Sequence, residues 1–206
     1  MKKFILTLAL IASTAVSYAQ VDDLYCKVEG GFNLGSLRSD AFDSKYNGGW
    51  QARVFGQLYM NDQVGLEAGL GVTDIRSKLN LIVMEIDGKG YILNGGGLYN
   101  KWDVTYLDIP IRSVARSYDL GVMTFQPAVG VYLGMGLRAR DEEGHNLFKD
   151  KILQRFNFGI EGKLDVVFVD YIKIGVGYQR GFVNMSRDKS KKMRPSSIIF
   201  SVGVIF

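Results

Sequence analysis

From Phe156 onward, apolar residues fall on alternate positions. Phe156, Phe158, Ile160, Leu164, Val166 and Phe168 share one side, with Asn157, Glu161, Lys163 and Asp165 between them. After Val169-Asp170-Tyr171 the alternation resumes, with Ile172, Ile174, Val176 and Tyr178 set against Lys173, Gly175, Gly177 and Gln179. A period of two held this long predicts two β-strands joined by a tight turn. The same pattern predicts six further strands: about Leu24–Leu37, about Gly48–Tyr59, one starting at Val64, about Trp102–Arg116, about Gly121–Arg140 and Ser196–Phe206. In the fifth strand, Gln126, Gly130, Tyr132, Gly134, Gly136, Arg138 and Arg140 share the polar face. Pro127 lacks a ladder donor and predicts a bulge or bend there.

The connections follow a pattern of their own. Residues 36–47, 77–101, 141–151 and 184–195 form long polar links, whereas 60–63, 117–120 and 169–171 form short ones. Within 77–101, Leu79 to Ile86 is apolar. It is followed by the turn signals Asp87-Gly88-Lys89-Gly90 and Asn94-Gly95-Gly96-Gly97, which predict a hairpin-like loop standing above the barrel. An even strand count with links alternating between short and long is the organisation of an outer-membrane barrel. The fold expected is therefore all-β: an eight-stranded antiparallel up-and-down transmembrane β-barrel. Backbone groups in hydrocarbon must all be paired, and only ring closure achieves this for strands.

The apolar faces are then expected to meet lipid and the charged faces to line the lumen. An eight-stranded lumen is just wide enough for side chains. The expected lumen charges are Lys27, Glu29, Arg53, Glu67, Asp108, Arg112, Arg116, Glu161, Lys163, Asp165 and Lys173. Five acids against six bases can pair across strands, which is the condition for confining them. Glycines on the same faces leave room for long side chains. A soluble lipocalin-like barrel would invert this assignment, and the alternation alone permits that. Link pattern, strand length and the terminal Phe206 argue against it.

Composition adds little to this picture except at the N-terminus. Aromatics make up 12 % of the chain, with 25 Gly and only 3 Pro, which suits closely packed strands. Residues 1–19 read as a signal peptide, with Lys2 and Lys3 as the basic start, Phe4 to Val16 as the apolar core and Ala19 before the cleavage point. An uncleaved anchor is the alternative. Residues 20–206 are then the barrel domain. The net charge of +4 includes those two lysines and is too mild to suggest nucleic acid as a partner. The lone Cys26 forms no internal disulfide.

At Thr105-Tyr106-Leu107-Asp108-Ile109-Pro110 the chain resembles the PorT-like outer-membrane β-barrel family of Bacteroidetes-type bacteria. Glu29 to Gly35 and Gln126 to Gly134 resemble other strands of that family. Phe206, after alternating Phe200, Val202 and Val204, resembles the C-terminal signal read by barrel-assembly machinery. The resemblance implies a cell outer-membrane location, outer-membrane lipid as surroundings and the assembly machinery as a partner during insertion. It does not carry the secretion role of the family's namesake.

Candidate chemistry is sparse. His145, the only histidine, lies beside Asp141, Glu142 and Glu143; an acyl-transfer site would need a nucleophile that no local motif supplies, so a solvated loop residue is the preferred reading. Asp141, Glu142 and Glu143 offer a loose divalent-cation site, which a polar loop explains as well. One His and one Cys leave no transition-metal cluster, so no catalytic residue, metal or cofactor is assigned. Arg187, Lys189, Lys191, Lys192 and Arg194 form a basic stretch suited to lipopolysaccharide phosphates, with a solvated loop as the alternative. The function expected is a monomeric structural or interaction barrel with a plugged polar lumen and another envelope protein as a candidate partner. A lipid-modifying enzyme, or a narrow anion-preferring pore lined by Arg53, Arg112 and Arg116, is the alternative.

Overall fold

The computed structural model describes residues 24–206 apart from 62, 87–88, 95, 117–119, 170 and 189–190. The expected leader, and parts of the expected turns at 60–63, 117–120 and 169–171, lie outside the described residues. Ten strands are described: β1 (Leu24–Ser39), β2 (Ser44–Tyr59), β3 (Val64–Leu79), β4 (Leu81–Ile86), β5 (Lys89–Asn94), β6 (Asn100–Ala115), β7 (Met123–Arg140), β8 (Phe156–Phe168), β9 (Ile172–Gly181) and β10 (Met193–Ile205). Eight of them close an antiparallel barrel in the order β1-β10-β9-β8-β7-β6-β3-β2. The remaining two, β4 and β5, pair only with each other and form the hairpin expected within 77–101. The ring closes between the first and last strands. Cys26 N donates to Phe206 O at 2.8 Å, and Phe206 N donates to Cys26 O at 2.9 Å.

Burial decides which face is which. Leu164 is 44 % exposed, Ile174 50 % and Phe200 47 %, while Glu161 is 0 % exposed and Lys173 1 %. Apolar side chains therefore point out of the ring and charged ones point in. On β10 and the residue after it, the outward series Ile198, Phe200, Val202, Val204 and Phe206 covers nine residues, the length of a tilted spanning strand.

The structure corrects several local expectations. The first link is short, because β1 runs on through Ser39 and β2 begins at Ser44, leaving only residues 40–43 between them. The β7–β8 register passes through Pro127 without a shift, and the β6–β7 ladder ends at Val114 opposite Ala128, one residue before it. The proline that interrupts a ladder is Pro110. The β3–β6 pairing stops at Ala68 opposite Ile111 and resumes at Gly71 opposite Asp108 in the same register. Two bulges occur elsewhere. Gly48 and Gly49 together span the single step between Asp74 and Arg76, and a Cβ on Gly49 would strike Asp74 O. Leu137 is the extra residue in β7, between the pairs with Thr105 and Tyr106. This bulge reverses the alternation, so Ala139 turns inward and is buried, while Arg138 and Arg140 are exposed instead of joining the polar lumen face.

Candidate functional site

The middle of the lumen is an ion-pair network. Lys27 Nζ donates to Glu67 Oε2 at 2.6 Å, and Glu67 also pairs with Arg112. Arg112 Nη1 donates to Glu161 Oε1 at 2.5 Å, and Arg53 Nη1 donates to Glu161 Oε2 at 2.9 Å. Arg53 Nη2 continues to Asp108 Oδ2 at 3.1 Å, which also accepts from Thr73. Beside this chain stands a closed square. Lys163 meets Glu29 at 2.6 Å and Asp165 at 3.2 Å, and Lys173 meets the same two carboxylates at 2.8 and 3.1 Å. None of these ten residues is more than 5 % exposed. They are five acids and five bases, so the network is formally neutral.

Glycines make the room that long side chains need. A Cβ on Gly71 would run into Arg53 Cγ, and one on Gly175 would meet Asp165 and lie 2.8 Å from Lys163 Cε. Phe55 is an aromatic set among these charges. Arg112 lies 4.3 Å and Lys173 5.9 Å from its ring centroid. Its alternation with Arg53 and Gln57 already placed it on the inward face.

Arg116 does not join the network, which corrects its expected place. It is exposed beyond the end of β6, 4.1 Å over the Tyr59 ring and 6.0 Å from that of Tyr25. There it lines a cavity of about 330 Å³ with Tyr25, Gln57, Tyr59 and Gln126. Gln126 Nε2 donates to Tyr59 Oη at 3.2 Å.

At the opposite end the lumen turns apolar. Leu37, Ile75, Leu79, Trp102, Val104 and Tyr106 occupy inward positions of β1, β3 and β6, in step with the charges below them. Leu147, Phe148, Ile152 and Leu153 from residues 141–155 close over them, with Met185 and Met193. Tyr106 Oη donates to Met185 Sδ at 3.0 Å. Sequence reading missed this cap because it treated 141–151 as a polar loop. The available signal was Leu147-Phe148: two large apolar residues in a link that cannot reach lipid must be buried against something.

In the same link, Asp141 accepts from His145 N and engages His145 Nδ1, both at 2.8 Å. The Asp141 carboxylate holds the His145 pKa above its ordinary 6.5. Its stabilisation of this turn is then complete below that value and is lost as pH rises through the raised pKa. An NMR titration of the His145 ring is expected to show a midpoint above 6.5; one at or below it would disprove the coupling. Asp141, Glu143 and His145 also bring three ligand-type atoms within 4.8 Å of one another, with His145 in the place the sequence reading gave to Glu142. The internal hydrogen bonds already account for its geometry.

The basic stretch divides. Arg187 lies beside Arg155 and Gln154, away from the rest. Lys189 is outside the described residues. Lys191 pairs with Asp188 at 3.8 Å and lies over Phe42. Lys192 and Arg194 share a cavity of about 420 Å³ with Arg38 and Arg180, two cations that come from β1 and β9 and that sequence reading did not group with them.

The outer membrane protein beta-barrel domain family matches residues 4–206. No curated protein sequence matches the chain. Among solved structures, the chain is similar to Ail, the attachment invasion locus protein of Yersinia pestis, at 10 % identity and a TM-score of 0.49, over 89 % of this chain and 99 % of that one. It is similar to OprG from Pseudomonas aeruginosa at 8 % identity and a TM-score of 0.48, over 88 % and 95 %. Neisserial surface protein A shows 13 % identity and a TM-score of 0.45, over 88 % and 96 %. With apolar strands facing out, a closed ring and a family match over almost its whole length, this chain belongs to the outer membrane protein β-barrel domain family and resides in the outer membrane.

Proposed function

We propose that the barrel is plugged at its middle and acts through its surfaces, as a structural or interaction component of the cell envelope, without catalysis. One observation carries this reading: ten charges from six strands neutralise one another across the lumen at 0–5 % exposure. An ion entering from either side would have to displace pairs that are already satisfied. The apolar cap adds a second obstruction. Outer-membrane lipid is its surroundings and the barrel-assembly machinery its partner during insertion. The Tyr106-Leu107-Asp108-Ile109-Pro110 run supports placing it with PorT-like proteins inside the wider family.

Planar-bilayer recording of the purified protein is the test. No unitary conductance steps are expected at neutral pH and moderate salt. Discrete steps with anion-selective reversal would overturn the plug and favour the pore. Lipid A profiles from a deletion strain are expected to match the parent. An acylation change restored by the wild-type chain but not by His145→Ala would replace the reading with an enzymatic one.

A further inference from the structure

On β9, β10 and β1, the outward apolar surface stops at one row. Leu34 is opposite Ile198, and Ile198 is opposite Tyr178. The next row in the same phase is Ser36, Ser196 and Arg180, where the two serines are covered and only Arg180 is exposed. Two residues further out, about 7 Å along the strand, Arg38 stands directly opposite Arg194. Like charges facing each other across an antiparallel pair are unfavourable unless something lies between them. All three arginines are exposed, and with Lys192 they line one cavity, which also includes Asp40 and Asp43. Among the described residues none of these four cations has a carboxylate within ion-pair distance. Arg38 reaches only the Tyr46 hydroxyl, at 3.3 Å.

We infer that Arg38, Arg180 and Arg194 bind a phosphate group of an outer-leaflet lipid. The location fits that ligand. The cluster begins where the acyl-facing band ends, and Tyr178, an interfacial type of residue, marks the boundary. The far end of the same strands holds the ring-closing Cys26–Phe206 pair and short links; at the cluster's end the 40–43 link is short but the other three are long, which makes this the outer end. Guanidinium groups match phosphate oxygens in fork geometry. A bridging dianion would turn the Arg38–Arg194 repulsion into a stabilising contact. The inference rests on the lipid-contact reading of the chain and narrows it from the basic stretch Arg187–Arg194 to three strand residues, Arg38, Arg180 and Arg194.

The test uses the full folded chain in phosphatidylcholine vesicles, with and without a minor fraction of phosphorylated lipid A. Stability is read as the temperature at which gel mobility shifts. Phosphorylated lipid A is expected to raise that temperature for the wild type, and dephosphorylated lipid A is not. Retention of phosphorylated lipid A in native mass spectrometry is expected to fall about fivefold for Arg194→Gln and on the order of a hundredfold for the triple glutamine variant. Arg194→Gln also gives a reversal of sign. It should be more stable than wild type in plain phosphatidylcholine, where it relieves repulsion, and less stable with phosphorylated lipid A. A structural role alone moves both in one direction. No gain for the wild type would sink the lipid-contact reading itself. A gain that Arg194→Gln and the triple variant keep in full would sink the arginine site. Equal protection by inorganic phosphate alone would reassign the ligand to a soluble anion.

Discussion

Glu161→Ala is expected to destabilise the barrel by about 3–5 kcal/mol, the range for breaking a buried ion pair from one side. The carboxylate is 0 % exposed and accepts from both Arg53 and Arg112. Its removal leaves two confined guanidinium groups sharing Asp108 and Glu67, with one positive charge uncompensated across the network. Urea unfolding in vesicles should report a lower midpoint with an unchanged slope. Arg116→Gln is the internal control. That residue is exposed and stacked on Tyr59, so its loss should stay near the values of ordinary surface changes, about 0.5 kcal/mol. In a double-mutant cycle, Glu161→Leu combined with Arg53→Met should cost less than the sum of the single changes, because the pair then leaves together. A loss for Glu161→Ala no larger than that of Arg116→Gln would mean that water screens the lumen charges and that the plug is not held by pairing.

Trp102→Ala is expected to cost a similar amount, about 3–5 kcal/mol, through a different mechanism. Trp102 is the largest fully buried side chain and lies in the apolar cap, packed with Leu79, Val104 and Leu147 in one cluster. Truncation leaves a cavity at the outer end, above the ion pairs. The loss should therefore appear first in residues 141–155. Limited proteolysis after Lys149, Lys151 and Arg155 should accelerate, while the heat-dependent gel shift of the spanning region remains. The indole Nε1 has no hydrogen-bond partner among the described residues, so Trp102→Phe should cost far less than the alanine change. Equal proteolysis of wild type and Trp102→Ala would show that the cap does not hold the link.

Much of this architecture was legible because lipid imposes a one-sided rule. Along Phe156–Phe168 and Ile172–Gly181, alternation alone predicted both strands, both faces and four of the ten network residues (Glu161, Lys163, Asp165 and Lys173), because an outward charge would face hydrocarbon. Ion pairing followed from the near balance of charges, and it became complete balance once Arg116 proved to lie at the rim. Alternation cannot reveal how far up the lumen a residue sits, so Arg116 and Arg112 looked equivalent. It also cannot separate an inward apolar residue from an exception: Trp102, Val104 and Tyr106 share the phase of Asp108 and Arg112. The bulges at Gly48-Gly49 and Leu137 were silent because neither carries a proline or a charge. Pro127 carried the conspicuous signal and changed nothing, since the ladder with β6 had already ended. The arginine cluster needed three strands distant in sequence, and only the register of β9, β10 and β1 brings them together.

The hydrogen bonds between Cys26 and Phe206 also bear on biogenesis. Cys26 lies in β1 and Phe206 directly follows β10, so no native ring exists until β10 has left the ribosome and crossed the inner membrane. Every earlier intermediate carries a bare edge that will pair with whatever strand it meets. Such a chain must be kept from its neighbours throughout transit and zipped shut in a single late event, slow by the measure of sequence distance spanned.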